Sequence, residues 1–327
     1  MKIIFQSIYI LFPLLLIVGL IWGAERILTG WKYLNKVGKR SPIKNYKLWR
    51  NPGETLREQF ENQRLIAALL IFTIPLSFFV YSPLYFSTLL AKLKGTFSIS
   101  NFLFTVLCNL FLVGLGIHQM MKAWKKYHML LLGYEAEVYV GQQLNHLMAV
   151  GCRVYHDFPL DSLGNIDHIV VSPVGIFAVE TKGRAKPDKQ RGSKDATVSY
   201  DGKTLFFPDG REDSRPLSQA KRNAQALSKW LASATGMQSM PVTPVVALAG
   251  WFVDYRIKSP EIKIYNGKLI DDSGQLDLNR LKKSCFFFAP ANGATLDSEA
   301  FGRVVHQLDA KCRDVKPLAY KKESDGK

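Results

Sequence analysis

Long apolar runs alternate with charged segments through the first third of the chain. The runs cover Ile3–Trp22, Leu65–Ala91 and Phe97–Met121. Each reaches the roughly 20 residues that an α-helix needs to cross the hydrocarbon core of a bilayer. The first two carry no charged side chain, which argues against buried core helices, whereas Asn101 and Asn109 keep that alternative open for the third. We therefore predict transmembrane helices at about residues 3–22, 65–90 and 98–120, and we prefer an uncleaved first helix to a signal peptide.

The charges between these runs predict an orientation. Residues 24–64 are rich in Lys and Arg, only two lysines separate the second run from the third, and three lysines follow the third run closely. Because positively charged loops stay on the cytoplasmic side, we expect the basic loop and everything after Met121 in the cytoplasm and the N-terminus outside. The pattern predicts a multi-pass protein of the bacterial inner membrane, with residues 1–121 as its membrane region.

Beyond Met121 the hydrophobic pattern changes to that of an α/β domain. Leu130, Tyr134, Glu137 and Leu144 recur at helical spacing within a helix of about residues 122–148. Apolar runs of strand length, bounded by Gly and Pro, alternate with two further helical stretches. We predict strands at about 153–158, 165–171, 176–182, 244–249 and 262–265, a hairpin over 198–207 that turns at Asp201-Gly202, and helices at 215–235 and 298–312. The soluble domain then covers residues 122–315, followed by a disordered polar tail, 316–327.

The stretch from Asn165 to Lys182 reads as an antiparallel hairpin, because two β-branched runs flank Ser-Pro-Val-Gly. If Val171 pairs with Ile176, the register runs outward until Asp167 stands opposite Glu180. Side chains alternate along a strand, so Glu180 and Lys182 share one face of the sheet. The hairpin is thus predicted to bring two carboxylates and one ammonium group together.

Carboxylates that stand opposite each other repel, so something must neutralise them. A hard divalent cation with oxygen ligands is the natural candidate. Glu137, on the apolar face of its helix, becomes a plausible third acidic ligand beside the hairpin; taken alone, it reads more readily as a helix-border side chain that reaches water. An ion pair on a solvated surface is the alternative for the hairpin, and it fits poorly because both faces are apolar, with Ile166, Val170, Phe177 and Val179 on one and Ile169, Val171, Ile176 and Ala178 on the other. His168 faces away from Asp167 and is given a structural role.

The net charge of the chain favours an anionic partner. The chain has 43 Lys and Arg against 27 Asp and Glu, a net charge of +16, which favours nucleic acid or an anionic lipid surface. Its four cysteines form no Cys-x-x-Cys pair, which argues against a structural zinc site. A basic loop after the hairpin either binds phosphates or is an ordinary solvated loop, and both remain open; it contains Arg184, Lys186, Lys189 and Arg191.

These motifs together resemble one family. Gly133-x-x-x-Glu137, Asn165-Ile-Asp167-His168, Gly175-Ile-Phe-Ala-Val-Glu180-Thr-Lys182 and Arg215-Pro-Leu-Ser-Gln219 look like the nuclease-related domain, or NERD, which is similar to the PD-(D/E)xK nuclease superfamily. Ala136 departs from the glycine usual before the helix glutamate, and Ile166 replaces the signature proline. The resemblance implies a restriction-endonuclease-like mixed sheet flanked by helices, Mg²⁺-type ligation and DNA cleavage.

Each residue can be given a role in phosphodiester hydrolysis. Asp167, Glu180 and the carbonyl of Thr181 are predicted metal ligands, with Glu137 binding directly or through water. Lys182 would orient the attacking water or stabilise the transition state, and Gln219 would hold a phosphate or the nucleophile. We expect DNA as substrate, without excluding RNA, and no small-molecule cofactor. The alternative is a nucleic-acid-binding or membrane-scaffolding protein whose nuclease-like fold does not cut.

Overall fold

The computed structural model describes residues 47–71, 85–87, 90–93, 99–160, 164–186, 197–258, 261–266, 287 and 296–315. The chain divides into two compact units. The first contains Met1–Pro42 and Gln59–Met129, and the second contains Ile43–Glu58 and Leu130–Lys327. The segment just before residue 59, predicted to belong to a membrane-region loop, therefore groups with the soluble domain.

Two long helices contain most of the described residues of the first unit. Helix α1 (Glu54–Ile71) and helix α2 (Ile99–Asn145) also extend into the second unit. Among the described residues, one helical stretch, Phe102–Val150, is long and apolar enough to cross a membrane, and only 6% of its most apolar window is buried. This stretch contains most of the third predicted span. The first span lies outside the described residues, and so does residue range 72–84 of the second, so the prediction of three spans stays a prediction.

A five-stranded mixed sheet forms the centre of the second unit, in the order β1-β2-β3-β7-β9. Its first three strands are an antiparallel meander, and the last two run parallel to β3. The strands are β1 (Arg153–Leu160), β2 (Gly164–Ser172), β3 (Gly175–Lys182), β7 (Val242–Leu248) and β9 (Lys263–Tyr265). β2 and β3 are buried almost throughout, as their apolar pattern predicts.

Three strands between β3 and β7 and one strand after β7 form a smaller sheet. Its order is β6-β5-β4-β8, with β4 (Thr197–Tyr200), β5 (Leu205–Phe206), β6 (Glu212–Asp213) and β8 (Phe252–Tyr255). The predicted turn at Asp201-Gly202 is confirmed, because β4 and β5 pair antiparallel on either side of it. Helix α3 (Arg215–Thr235) then returns the chain to the parallel strand β7, and it has the bounds that the sequence predicts.

Helices cover both faces of the five-stranded sheet. On one face, Ile169, Ile176 and Ala178 pack in one cluster with Leu227 of α3 and Val304 of the last described helix, α4 (Ser298–Lys311). On the other face, Val140 and Leu144 of α2 pack in one cluster with strand residues that include Val170, Phe177 and Val179. The predicted mixed sheet flanked by helices is therefore confirmed.

The hairpin has the predicted register. Val171 pairs with Ile176, and the pairing continues to His168 and Val179, where the ladder ends. One prediction on facing was wrong. Ile166 was expected to lie on the opposite face of the sheet from Ile169, but both side chains pack in the same cluster. On the neighbouring strand β1, Tyr155 and Phe158 share this cluster as well, and Asp157 between them has a left-handed φ of +51°.

Candidate active site

Two polar side chains donate hydrogen bonds to the carboxylate of Glu180, which is 2% exposed. Lys182 Nζ donates a hydrogen bond to Glu180 Oε1 at 2.6 Å, and Asn223 Nδ2 donates to Glu180 Oε2 at 2.9 Å. Lys182 Nζ also donates to Gln219 Oε1 at 3.2 Å. Gln219 and Asn223 lie one turn apart on α3, so the helix brings both amides to the same acid–lysine pair. The predicted shared face of Glu180 and Lys182 is confirmed.

Asp167 lies on β2 beside the point where the hairpin ladder ends. Its Oδ2 accepts a hydrogen bond of 2.6 Å from the backbone N–H of Thr181, and its side chain is buried. Asp167 therefore takes the place of a strand carbonyl as the partner of that amide. This contact attaches the first acid of the hairpin to the residue between Glu180 and Lys182.

Glu137 approaches the same group from helix α2. It is 6% exposed, and its buried Oε2 has no hydrogen-bond partner within the part of the chain that the structure describes. Burial first, and then the charges of Asp157 and Glu180, raise the pKa of Glu137 from 4.5 to about 8. A buried polar atom without a hydrogen-bond partner raises the free energy of the folded protein. A proton or a cation bound at this oxygen would therefore stabilise the site.

The same environment raises the pKa values of the other two acids, Asp167 and Glu180. Burial and the neighbouring carboxylates Glu180 and Glu137 raise the pKa of Asp167 well above its usual value. Burial also raises the pKa of Glu180, while Lys182 acts in the opposite direction. Three acids whose charges act on one another, with burial as the largest cause, are typical of a functional site.

Asp157 is an acid of this group that sequence reasoning missed. In the register of β1 and β2 it stands opposite Asp167, between the pairs His156–His168 and Phe158–Ile166. Its carboxylate is fully buried and accepts hydrogen bonds from Arg50 and Asn165. The sequence carried no signal for it, because Asp157 lies within an otherwise ordinary strand pattern.

Helix and strand come unusually close beside the acids. A Cβ atom built on Gly183 would lie 2.5 Å from the carbonyl oxygen of Leu132 and 3.1 Å from Cβ of Ala136. Thr181, the predicted carbonyl ligand, has a buried hydroxyl with no hydrogen-bond partner. Gly183 therefore allows α2 to pack against the end of β3 and brings Glu137 toward the hairpin.

The predicted phosphate-binding loop is partly described. The Arg184 guanidinium forms an ion pair with Asp213 and stacks on Phe207, 4.6 Å from the ring centroid. Lys186 lies farther along, with Nζ 5.6 Å from the ring centroid of Trp251. Lys189 and Arg191 lie outside the described residues. Nucleic-acid binding by these four residues stays a prediction.

A pair of buried histidines lies next to the acids. His156 Nδ1 and His168 Nδ1 are 2.9 Å apart, and His156 Nε2 is 2.9 Å from Asn145 Oδ1. Burial lowers the pKa of His156 to about 4 and that of His168 well below its usual value. Both rings are therefore uncharged at neutral pH and contribute to packing under α2, which agrees with the structural role predicted for His168.

Fold and site together define a class: a mixed sheet whose central hairpin carries an Asp, a Glu and a Lys, with a further Glu supplied by a flanking helix. Residues 132–249 match the family model of the nuclease-related domain, NERD, so this part of the chain is a nuclease-related domain. No similar curated protein and no similar solved structure was found. The match contains all the predicted catalytic and metal-binding residues, and it suggests a nuclease-related function.

Proposed function

We propose that this protein is a membrane-anchored, divalent-metal-dependent nuclease that hydrolyses phosphodiester bonds of DNA in the bacterial cytoplasm. The observation that carries the proposal is the convergence of Glu137, Asp167, Glu180 and Lys182 in a buried site. Membrane anchoring is supported by the long apolar helix α2, and an anionic partner by the net charge of +16.

The charges of the site support one bound divalent cation. Among the described residues, four buried carboxylates act on one another or stand in adjacent strands: Glu137, Asp157, Asp167 and Glu180. Arg50 pairs with Asp157 and Lys182 pairs with Glu180. Among the residues that the structure describes, Glu137 and Asp167 have no cation partner of this kind, and when ionised they carry two negative charges, the number that Mg²⁺ or Mn²⁺ neutralises.

The donor atoms also suit such an ion. Carboxylate and carbonyl oxygens are the ligands that Mg²⁺ prefers, and the unpartnered Oε2 of Glu137 is one of them. Asp167, Glu180, the Thr181 carbonyl and Glu137 would hold the ion. When bound, it would offset phosphate charge and make a coordinated water more acidic.

The chain's own residues supply the rest of the chemistry. The Lys182 ammonium keeps a third donor beyond its bonds to Glu180 and Gln219. With that donor it orients the attacking water or stabilises negative charge that grows on the phosphate. Gln219 accepts from Lys182 through Oε1, so its amide NH₂ group points its two donors elsewhere and can bind a phosphate oxygen.

A second candidate function is a nucleic-acid-binding scaffold that does not cut. One observation favours it: within the described ranges, no group of three or more His, Cys, Asp or Glu side chains is arranged as in a metal site. Both oxygens of Glu180 also accept hydrogen bonds from the protein. Such a scaffold would bind DNA with a steep salt dependence and without turnover.

Purified full-length protein in detergent, incubated with circular and linear DNA over a Mg²⁺ and Mn²⁺ titration, tests the proposal. We expect metal-dependent cleavage that Asp167→Asn and Lys182→Met each reduce at least a hundredfold. Glu135→Gln, an exposed acid on the same helix as Glu137, is the matched control and should cleave normally. Metal-independent DNA binding without cleavage would support the scaffold instead, and full activity in both variants would exclude the proposed site.

A further inference from the structure

Residues 48–57, the segment before helix α1 together with its first turn, pack on the nuclease-related domain although the family match begins only at residue 132. We call these residues the strap. The strap begins with a β-bridge in which Leu48 N donates to Val315 O at 2.8 Å and Val315 N donates back to Leu48 O at 3.2 Å. Arg50 N then donates to Cys312 O at 3.1 Å. These backbone contacts fix the strap to the end of α4.

Arg50 directs its guanidinium into the domain. Its Nε donates to Asp157 Oδ2 at 3.0 Å, and a second nitrogen pairs with the same oxygen. The guanidinium also donates to Asp314 Oδ1 at 3.0 Å and to Thr55 Oγ1 at 3.0 Å. A planar guanidinium with several fixed partners is far more restricted than a lysine would be.

Two residues of the strap, Arg50 and Thr55, donate hydrogen bonds to the fully buried Asp157. Besides Arg50, Thr55 donates to Asp157 Oδ2 from its backbone N at 3.2 Å and from Oγ1 at 2.8 Å. Asp157 adopts a left-handed backbone conformation, φ +51°, which is costly for a residue other than glycine and persists only where the surroundings enforce it. The hydrogen bonds from the strap to the Asp157 carboxylate stabilise this conformation.

The position held in this way adjoins the candidate site. Asp157 and Asp167 stand opposite each other on β1 and β2, at the one position between Arg153 and Leu160 where the pairing of these strands is interrupted. Glu180 follows on β3, one position beyond the last pair of β2 and β3, His168–Val179. Arg50 neutralises the first acid of this row and Lys182 the last, and Asp167 is the middle member, next to the acid that the strap holds.

The strap also contacts the helix that carries Glu137. A Cβ atom built on Gly53 would lie 2.8 Å from the Tyr134 ring and 3.5 Å from Glu137 Oε2. A Cβ atom built on Gly141 would lie 2.6 Å from Pro52. The strap backbone is therefore in van der Waals contact with the turns of α2 on both sides of Glu137.

We infer that the strap is a wall of the active site and that Arg50 is a positioning residue, which acts through Asp157 to hold Asp167 and the Thr181 amide in register. The inference rests on the proposed nuclease function and adds a residue from outside the family match to its site. The described contacts of the Arg50 side chain are to Asp157, Asp314 and Thr55, and a residue that acts through Asp157 should affect kcat rather than KM.

The test uses full-length protein in detergent and three changes: Arg50→Gln, Arg50→Lys and the double change Arg50→Gln with Asp157→Asn. The double change removes both charges, so it avoids an unpaired buried carboxylate and is expected to keep a melting temperature near that of the wild type. Arg303→Gln is the matched control, because it removes one arginine from an exposed ion pair with Glu299. Each protein is assayed for melting temperature, DNA cleavage and amide hydrogen exchange at single-residue resolution.

If Arg50 positions the site, the folded double variant loses kcat at least tenfold with KM within twofold, and its Thr181 amide exchanges at least tenfold faster. Arg50→Lys should lie between the double variant and the wild type. A double variant with wild-type kcat and wild-type Thr181 exchange would overturn the inference and leave the proposed function intact. A wild type that neither cleaves DNA nor responds to Mn²⁺ would remove the proposed function and this inference together.

Discussion

Replacing Glu137 with glutamine should make the metal-free protein more stable while it damages function. Folding raises the pKa of Glu137 from 4.5 to about 8. Each pKa unit corresponds to about 1.36 kcal/mol, so the ionised carboxylate costs the folded state on the order of 5 kcal/mol above pH 8. At pH 7 the cost depends only on the difference between the pH and the unfolded-state pKa of 4.5, and it is about 3 kcal/mol. Glutamine has no charge to lose, so it escapes this cost.

The sign follows from proton linkage. Below pH 4.5 the carboxyl is protonated in both the folded and the unfolded protein, so the contribution of Glu137 to stability is fully present there. It is lost as the pH rises through about 8. The advantage of Glu137→Gln should therefore be largest above pH 8 and vanish near pH 4.5.

Thermal unfolding of full-length protein in detergent with EDTA, from pH 4.5 to 9, measures this advantage. A difference of about 3 kcal/mol should raise the melting temperature by roughly 6–12 °C for a domain of this size. Added Mn²⁺ should stabilise the wild type more than the variant, because only the wild type offers the carboxylate. Exposed Glu135, changed to Gln, should shift nothing. An advantage that is absent at pH 8.5, or that grows toward acid, would refute the reasoning.

Two further predictions concern the packing around the site. Gly183→Ala would place a Cβ atom 2.5 Å from the Leu132 carbonyl oxygen, so it should destabilise the domain by about 1–3 kcal/mol and reduce cleavage; Gly302→Ala, which meets nothing within 4 Å, is the control in thermal unfolding. Burial lowers the pKa of His156 to about 4, so stability present above pH 6.5 should be lost as the pH falls toward 4. Denaturant titrations of wild type and His156→Gln measure this loss, and equal acid sensitivity of both proteins would contradict it.

The local part of the site could be predicted from the sequence. Strand alternation determines that Glu180 and Lys182 share a face, and the Pro-Val-Gly turn sets the register that brings Asp167 near them. Helical spacing likewise places Gln219 and Asn223 one turn apart on α3. Each of these relations involves residues within one element or one hairpin, where geometry repeats.

The missed features depend on single conformations or distant partners. The shared cluster of Ile166 and Ile169 departs from strand alternation beside one left-handed residue, Asp157, whose conformation no periodicity predicts. The pairing of Arg50 with Asp157 joins residues 107 positions apart in the chain. In the sequence, Arg50 is one of many basic residues in a segment that the positive-inside rule explains without any reference to a site.

The bridge from Leu48 to Val315 has a consequence for biosynthesis. Arg50 and Asp314, its neighbours, are 264 positions apart, and closing a flexible chain of that length costs on the order of 5 kcal/mol of entropy. A ribosome releases the strap long before it releases α4, so the early segment must wait for its docking partner. Docking of the strap is therefore expected to follow the release of α4, and the acidic pocket would be assembled only after that helix has emerged.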